Sequence, residues 1–207
     1  MSLSCMPMVT VFEAGRSVVS GGLLEVAAEL KSRLGAQRQS SASVFSDETG
    51  RVVDIDFSGS VEEVLARLRQ RFPATSLTPE VPPANSGPGR PRLGVVAREV
   101  TLLPRHWEWL NSQPGGASAA LRRLVDNARR ESEGADRQRR SREATYAFVS
   151  ATAGNEPGFE EAVRALFNGS SVAFSALMKG WPEDIKTHAL RLAEASWPDP
   201  GLDTQPT

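Results

Sequence analysis

Arginines in the middle of the chain, among them Arg90, Arg92, Arg98, Arg105, Arg122 and Arg123, have the chemistry to hold a phosphate backbone. Arginine offers a planar fork of donors that is always charged, and hydroxyls and helix-start amides add neutral donors. Formal charge is distributed to match. Residues 1–75 carry −1, residues 76–142 carry +5 and residues 143–207 carry −5, within an overall charge of −1. A basic middle suits a polyanion, and it equally suits docking of the acidic tail on the middle of the same or a neighbouring molecule.

Other reactive side chains point away from catalysis. The chain has two histidines, His106 and His188, and one cysteine, Cys5. A lone thiol makes no internal disulfide and no zinc site, and no glycine loop cradles a phosphate. His188 lies beside the buried stripe of a helix and reads as a packing residue, as does His106 next to Trp107. Asp47 and Glu48 at a turn, with Asp54 and Asp56 on one strand face, offer oxygen ligands to a hard cation. They lack the spacing of a calcium loop and fit a solvated turn and strand face. The reading is of a protein that is not an enzyme, with no catalytic residue, metal or cofactor. No run of about 18 apolar residues is present, and no basic start precedes an apolar leader. A cytoplasmic location without membrane contact is expected.

These residues sit in an α+β pattern. Met8 to Ala14 reads as a strand, and Leu23, Val26, Ala27, Leu30 and Leu34 recur at helical spacing up to Gly35. A hairpin is expected where "SASVF" and "RVVDIDF" flank "SDETG", with Gly50 at the turn. Ser60 and Glu63 form a capping box that opens a helix with Val61, Val64, Leu65 and Leu68 on its apolar stripe. The expected order over residues 1–75 is β-α-β-β-α. Residues 76–93 are rich in Pro, Gly and Ser and read as a linker. Within it, Gly89-Arg90-Pro91-Arg92 resembles the core of an AT-hook, which slides arginines into an A·T-rich minor groove.

Residues 94–133 contain "REVTLLP", strand-like and stopped by Pro104, a short helix with Trp107 and Leu110 on one face, a Pro-Gly-Gly break, and "SAALRRLVDNARR" with Leu121, Leu124, Val125 and Ala128 in register. Trp107 is expected in the core and Trp109 toward a partner or the N-terminal unit. The residues "VTLLP", "WEWL", "GGAS" and "LRRLV" resemble the ribbon-helix-helix fold of bacterial repressors. That resemblance implies a homodimer with paired strands in the major groove, Arg98 and its neighbours facing DNA, and Ser118 with adjacent amides clamping a phosphate. The usual register turns Arg98, Val100 and Leu102 to DNA, and a shift by one residue turns Glu99 and Thr101 there instead.

Residues 134–197 read as a helical subdomain packed on the central helices. Its stripes include Phe159, Ala162, Val163, Leu166 and Phe167, and then Ile185, Ala189 and Leu192 after Pro182. Residues 198–207 read as a disordered tail. Across nearly the full length, "GRVVDIDFSGS", "GRPRLGVVAREVTLLPRHWEWL" with "GGASAALRRLVDNARR", and "AFVSATAGNEPGFEEAVRALFNG" resemble an uncharacterised bacterial family known by a domain-of-unknown-function label. The expectation is a dimeric DNA-associated protein, a bacterial transcriptional regulator. The alternative is a non-catalytic adaptor that uses the same dimer for protein contacts, with the C-terminal helices available to a protein partner.

Overall fold

The first apolar run forms β1 (Met8–Glu13), whose four middle residues are all buried. The computed structural model describes residues 6–33, 41–73 and 98–197. Burial on both sides makes β1 a central strand: Val9 and Val11 enter one core, while alternation turns Thr10 and Phe12 to the other. β2 (Arg16–Gly22) and β3 (Ser43–Ser46) flank it antiparallel in the order β2-β1-β3.

Sequence reading missed β2, so the order begins β-β-α-β-α and not β-α-β-β-α. The hairpin turns on Ala14 and Gly15, with φ of 49° and 78°. Two positive φ values give the turn that matches strand twist, but Ala-Gly lacks the usual Asn-Gly or Asp-Gly signature. β2 is also an edge strand, largely exposed, so it carries little apolar alternation.

On the Val9 and Val11 face pack α1 (Leu23–Arg33) and α2 (Val61–Arg71). Leu23, Val26, Ala27 and Leu30 are buried as their spacing predicts, and the Ser60–Glu63 capping box forms in both directions. The expected second strand at 51–57 shrinks to one bridge, Phe45 to Val52. Beyond it, side chains replace the ladder: Arg71 donates to the Asp54 carbonyl, Arg67 to those of Asp56 and Ser58, and Lys31 to that of Phe57. Val53 still donates its amide to the Val44 carbonyl, but Ile55 and Phe57 pack against the core outside any strand, so the alternation there records burial more than pairing.

The opposite face of the sheet meets helices. These are the C-terminal part of α4 (Gly116–Thr152), then α5 (Phe159–Phe167), α6 (Ser171–Leu177) and α7 (Glu183–Leu192), followed by a 3-10 turn at Glu194–Ser196. Phe12 and Phe45 from the strands lie 5.2 and 5.0 Å from the ring of Phe148 in α4. Residues 134–197 therefore share a core with the N-terminal sheet, where a separate subdomain was expected. Gly50 permits this approach: its φ is +64°, and a Cβ there would overlap the Ala144 carbonyl.

The chain divides into one unit of Met1–Ala74 with Gly134–Thr207 and another of Thr75–Glu133. In the second unit, residues 98–103 form no strand; α3 (Pro104–Ser112) follows with Pro104 in its first turn, as expected. α4 then runs 37 residues, joining two helices that were read as separate. Residues 131–143 are Glu, Arg, Gln, Ala, Ser and Asp around a single Gly134, and one glycine costs a helix only about 1 kcal/mol, so nothing stops the helix there. Trp107 is exposed and does not belong to the core, and Leu110 takes the buried place on that helix.

Candidate functional site

Alternation along β1 puts one hydroxyl, Thr10, on the helix-facing side of the sheet, where it is 3% exposed. It donates to Asp47 Oδ1 at 2.8 Å, just past the end of β3. His188 and Arg191 stand three apart on α7, hence on one helix face, and both reach the same carboxylate. Arg191 Nη2 lies 2.9 Å from Asp47 Oδ2, and it donates to Thr10 Oγ1 at 3.1 Å and meets His188 Nδ1 at 3.0 Å. Because a guanidinium has no acceptor, Nδ1 must accept, which places the imidazole proton on Nε2. His188 Nε2 is buried without a hydrogen-bond partner among the described residues, 3.7 Å from Asp47 Oδ1.

The ring of His188 is enclosed by Phe12 and Phe148, at 5.3 and 4.5 Å between centroids. Burial first, and the Arg191 charge second, lower its pKa from 6.5 to about 4 against the opposing pull of Asp47. At neutral pH it is an uncharged packing residue, as read from sequence, and it also fixes Arg191. The four-residue contact has no local signature, since Thr10 and Arg191 are 181 residues apart.

Beside this cluster, α4 is stitched to the segment from Leu192 to Trp197. Ser141 donates to the Leu192 carbonyl at 2.6 Å, both Nε and Nη2 of Arg142 reach the Ser196 carbonyl at 3.1 and 2.9 Å, and Gln138 donates to that of Trp197 at 3.2 Å. Between these elements lies a cavity of about 690 Å³ whose wall includes Asp47, Arg137, Arg140, Arg191, Leu192 and Trp197. Of the carboxylates weighed as cation ligands, Asp47 is committed to Arg191 and Asp56 to Arg67, while Glu48 and Asp54 stand at the surface.

The residues read as phosphate-binding lie elsewhere. Arg90 and Arg92, with the 76–93 linker, fall outside the described residues. Arg98 and Thr101 lie exposed in the segment before α3, Arg105 in its first turn, and Ser118, Arg122 and Arg123 near the start of α4. Arg123 donates to the Pro114 carbonyl at 3.1 Å, which ties it to the turn between the two helices. The paired ribbon that the repressor resemblance implies needs strands, and residues 98–103 form none in the single chain. Large apolar side chains of the same stretch of chain are exposed as well: Val100, Leu103, Trp107, Trp109, Leu124 and Val125. Among the described residues no helix is long and apolar enough to cross a membrane.

A family model described as an uncharacterised protein conserved in bacteria, DUF2239, matches residues 8–193, from the first strand through the last helix. The chain belongs to this family. The DUF2239 match spans the sheet, the central helices and the helical layer alike. No curated protein and no solved structure matches the chain.

Proposed function

We propose that this DUF2239 protein is a non-enzymatic homodimer that associates through its central unit and holds DNA by the arginines of the same surface. One observation carries the reading. Residues 98–133 bury just Leu110 and Ala120, while Leu124 and Val125 are 46% and 54% exposed on α4, flanked by Leu121 and Ala128 at helical spacing. A helix pair with so little buried surface gains stability from a partner, and the Leu121, Leu124, Val125 and Ala128 stripe suits a second copy of itself. Arg122, Arg123, Arg129 and Arg130 are exposed on the same helix, and Arg98 and Arg105 are exposed before it, so a twofold pair doubles the arginines available to a phosphate backbone. Ser118 and the amides at the start of α4 would add a neutral phosphate contact, and Arg90 and Arg92, which lie outside the described residues, would on this reading extend it along the minor groove. A bacterial transcriptional regulator is the function that fits such a dimer.

Fluorescence anisotropy of a labelled A·T-rich duplex tests this reading across a salt titration. Log affinity should fall steeply with log salt, and Arg122→Ala with Arg123→Ala should flatten the slope by roughly two phosphate equivalents. Arg90→Ala with Arg92→Ala should flatten it similarly if those arginines follow the groove. Leu124→Glu with Val125→Glu should abolish binding by splitting the dimer. The exposed Trp107 and Trp109 favour a second reading, an adaptor whose dimer docks a protein. A dimer that ignores duplex at every salt concentration would select the adaptor.

A further inference from the structure

The cavity beside Asp47 and Arg191 has features of a small-molecule site and is independent of the DNA reading. Its volume, about 690 Å³, falls in the range of ligand pockets. Its walls are fixed by main-chain carbonyls of Leu192, Ser196 and Trp197, which accept hydrogen bonds from Ser141, Arg142 and Gln138 of α4. A pocket built this way loses little entropy on binding.

Its charges are arranged in two sets. Arg191 is neutralised by Asp47 and braced by Thr10 and His188, so that pair is wall and not recognition. The remaining charged side chains are two of each sign, Arg137 and Arg140 against Glu48 and Glu194. Arg137 and Arg140 lie three apart on α4 and so share a helix face, with Ala144 one turn further along. Ala144, Leu192, Ala195 and Trp197 supply apolar surface. A purely anionic ligand would meet the two glutamates, and a purely cationic one the two arginines. A compound with both charges and an apolar body satisfies the whole wall.

We propose that this cavity binds a small zwitterion with an apolar body, of the amino-acid or short-peptide class, its carboxylate on Arg137 and Arg140, its ammonium on Glu48 and Glu194, and its side chain against Leu192 and Trp197. A single arginine guanidinium is a fork of N–H donors that matches a carboxylate, and two such groups share a helix face here. Bonds to both charges fix the ligand's direction, and the apolar surface selects a bulky side chain.

The test uses the full chain and its four tryptophan indole N–H resonances, with the Trp197 signal assigned through Trp197→Phe. L-phenylalanine, 3-phenylpropionate and phenethylamine serve as the zwitterion, the anion and the cation of similar size. Phenylalanine should shift the Trp197 resonance saturably and bind at least tenfold more tightly than either half-molecule. Arg137→Gln with Arg140→Gln, and separately Glu48→Gln with Glu194→Gln, should each weaken it at least tenfold. All four substituted positions are at the surface, so the melting temperature should hold and report intact folding. No shift of Trp197 at millimolar phenylalanine, equal binding of the half-molecules, or unchanged affinity in folded variants would overturn the proposal.

Discussion

Acid should weaken this fold through one residue, His188. Its folded pKa of about 4 lies below the ordinary 6.5, because the ring is buried against Phe12 and Phe148 and faces the Arg191 guanidinium. A lowered histidine pKa means that the unfolded chain binds the proton more readily than the native one. Its stabilising contribution is therefore fully present above pH 6.5 and is lost as pH falls toward 4. At about 1.4 kcal/mol per pH unit, that interval is worth on the order of 3 kcal/mol. Asp47 opposes the effect, since its carboxylate 3.7 Å from Nε2 favours the charged ring, and Arg191 reinforces it. Carboxylates elsewhere also titrate in this range, so the comparison is made against His188→Gln, which retains a polar side chain that cannot take the proton. Urea unfolding of both proteins at pH 7, 6, 5 and 4 should show the wild-type advantage shrinking by about 3 kcal/mol over the series. The variant will differ at pH 7 through lost packing alone, so the change with pH is the readout. Parallel stability curves for the two proteins would refute the reasoning.

Phe148→Ala should cost about 3 to 5 kcal/mol in calorimetry or urea unfolding, because the ring is fully buried where Phe12, Phe45 and His188 converge. Trp107→Ala, by contrast, should cost less than about 1 kcal/mol in dilute solution, since the side chain is 37% exposed. Gly50→Ala should lower the melting temperature by the equivalent of at least about 2 kcal/mol, combining positive φ with overlap at the Ala144 carbonyl. Ser60→Ala should remove one side of the capping box and cost about 1 kcal/mol, read by the same unfolding curves.

What was legible in the sequence was whatever local chemistry specifies. The capping box at Ser60, the stripe of Leu23, Val26, Ala27 and Leu30, and the Ile185, Ala189 and Leu192 face of α7 all stand where their spacing puts them. The second strand of the expected hairpin shows the limit of that logic. Val53, Ile55 and Phe57 alternate because alternate residues are half-buried, yet arginine and lysine side chains take the carbonyls that a neighbouring strand would have taken. Conversely, β2 pairs along its length with little apolar content, because an edge strand with solvent on its face needs none. The Thr10, Asp47, His188 and Arg191 cluster was invisible for a different reason. Its members come from two strands' worth of sequence and the last helix, and what joins them is packing of α7 on the sheet. The arginines of residues 98–130 were legible as charge, but the exposure of Trp107, Trp109, Leu124 and Val125 in the same stretch required the fold.

Central to the account is a dimer of the central unit that holds a nucleic-acid backbone. The most direct measurement is sedimentation velocity of the full chain with a labelled A·T-rich duplex, at low and at physiological salt, reading mass per duplex. Two 22.3-kDa chains should travel with each duplex at low salt, and the complex should dissociate as salt rises while the protein stays dimeric. A 22.3-kDa monomer beside free duplex at both salt concentrations would contradict it.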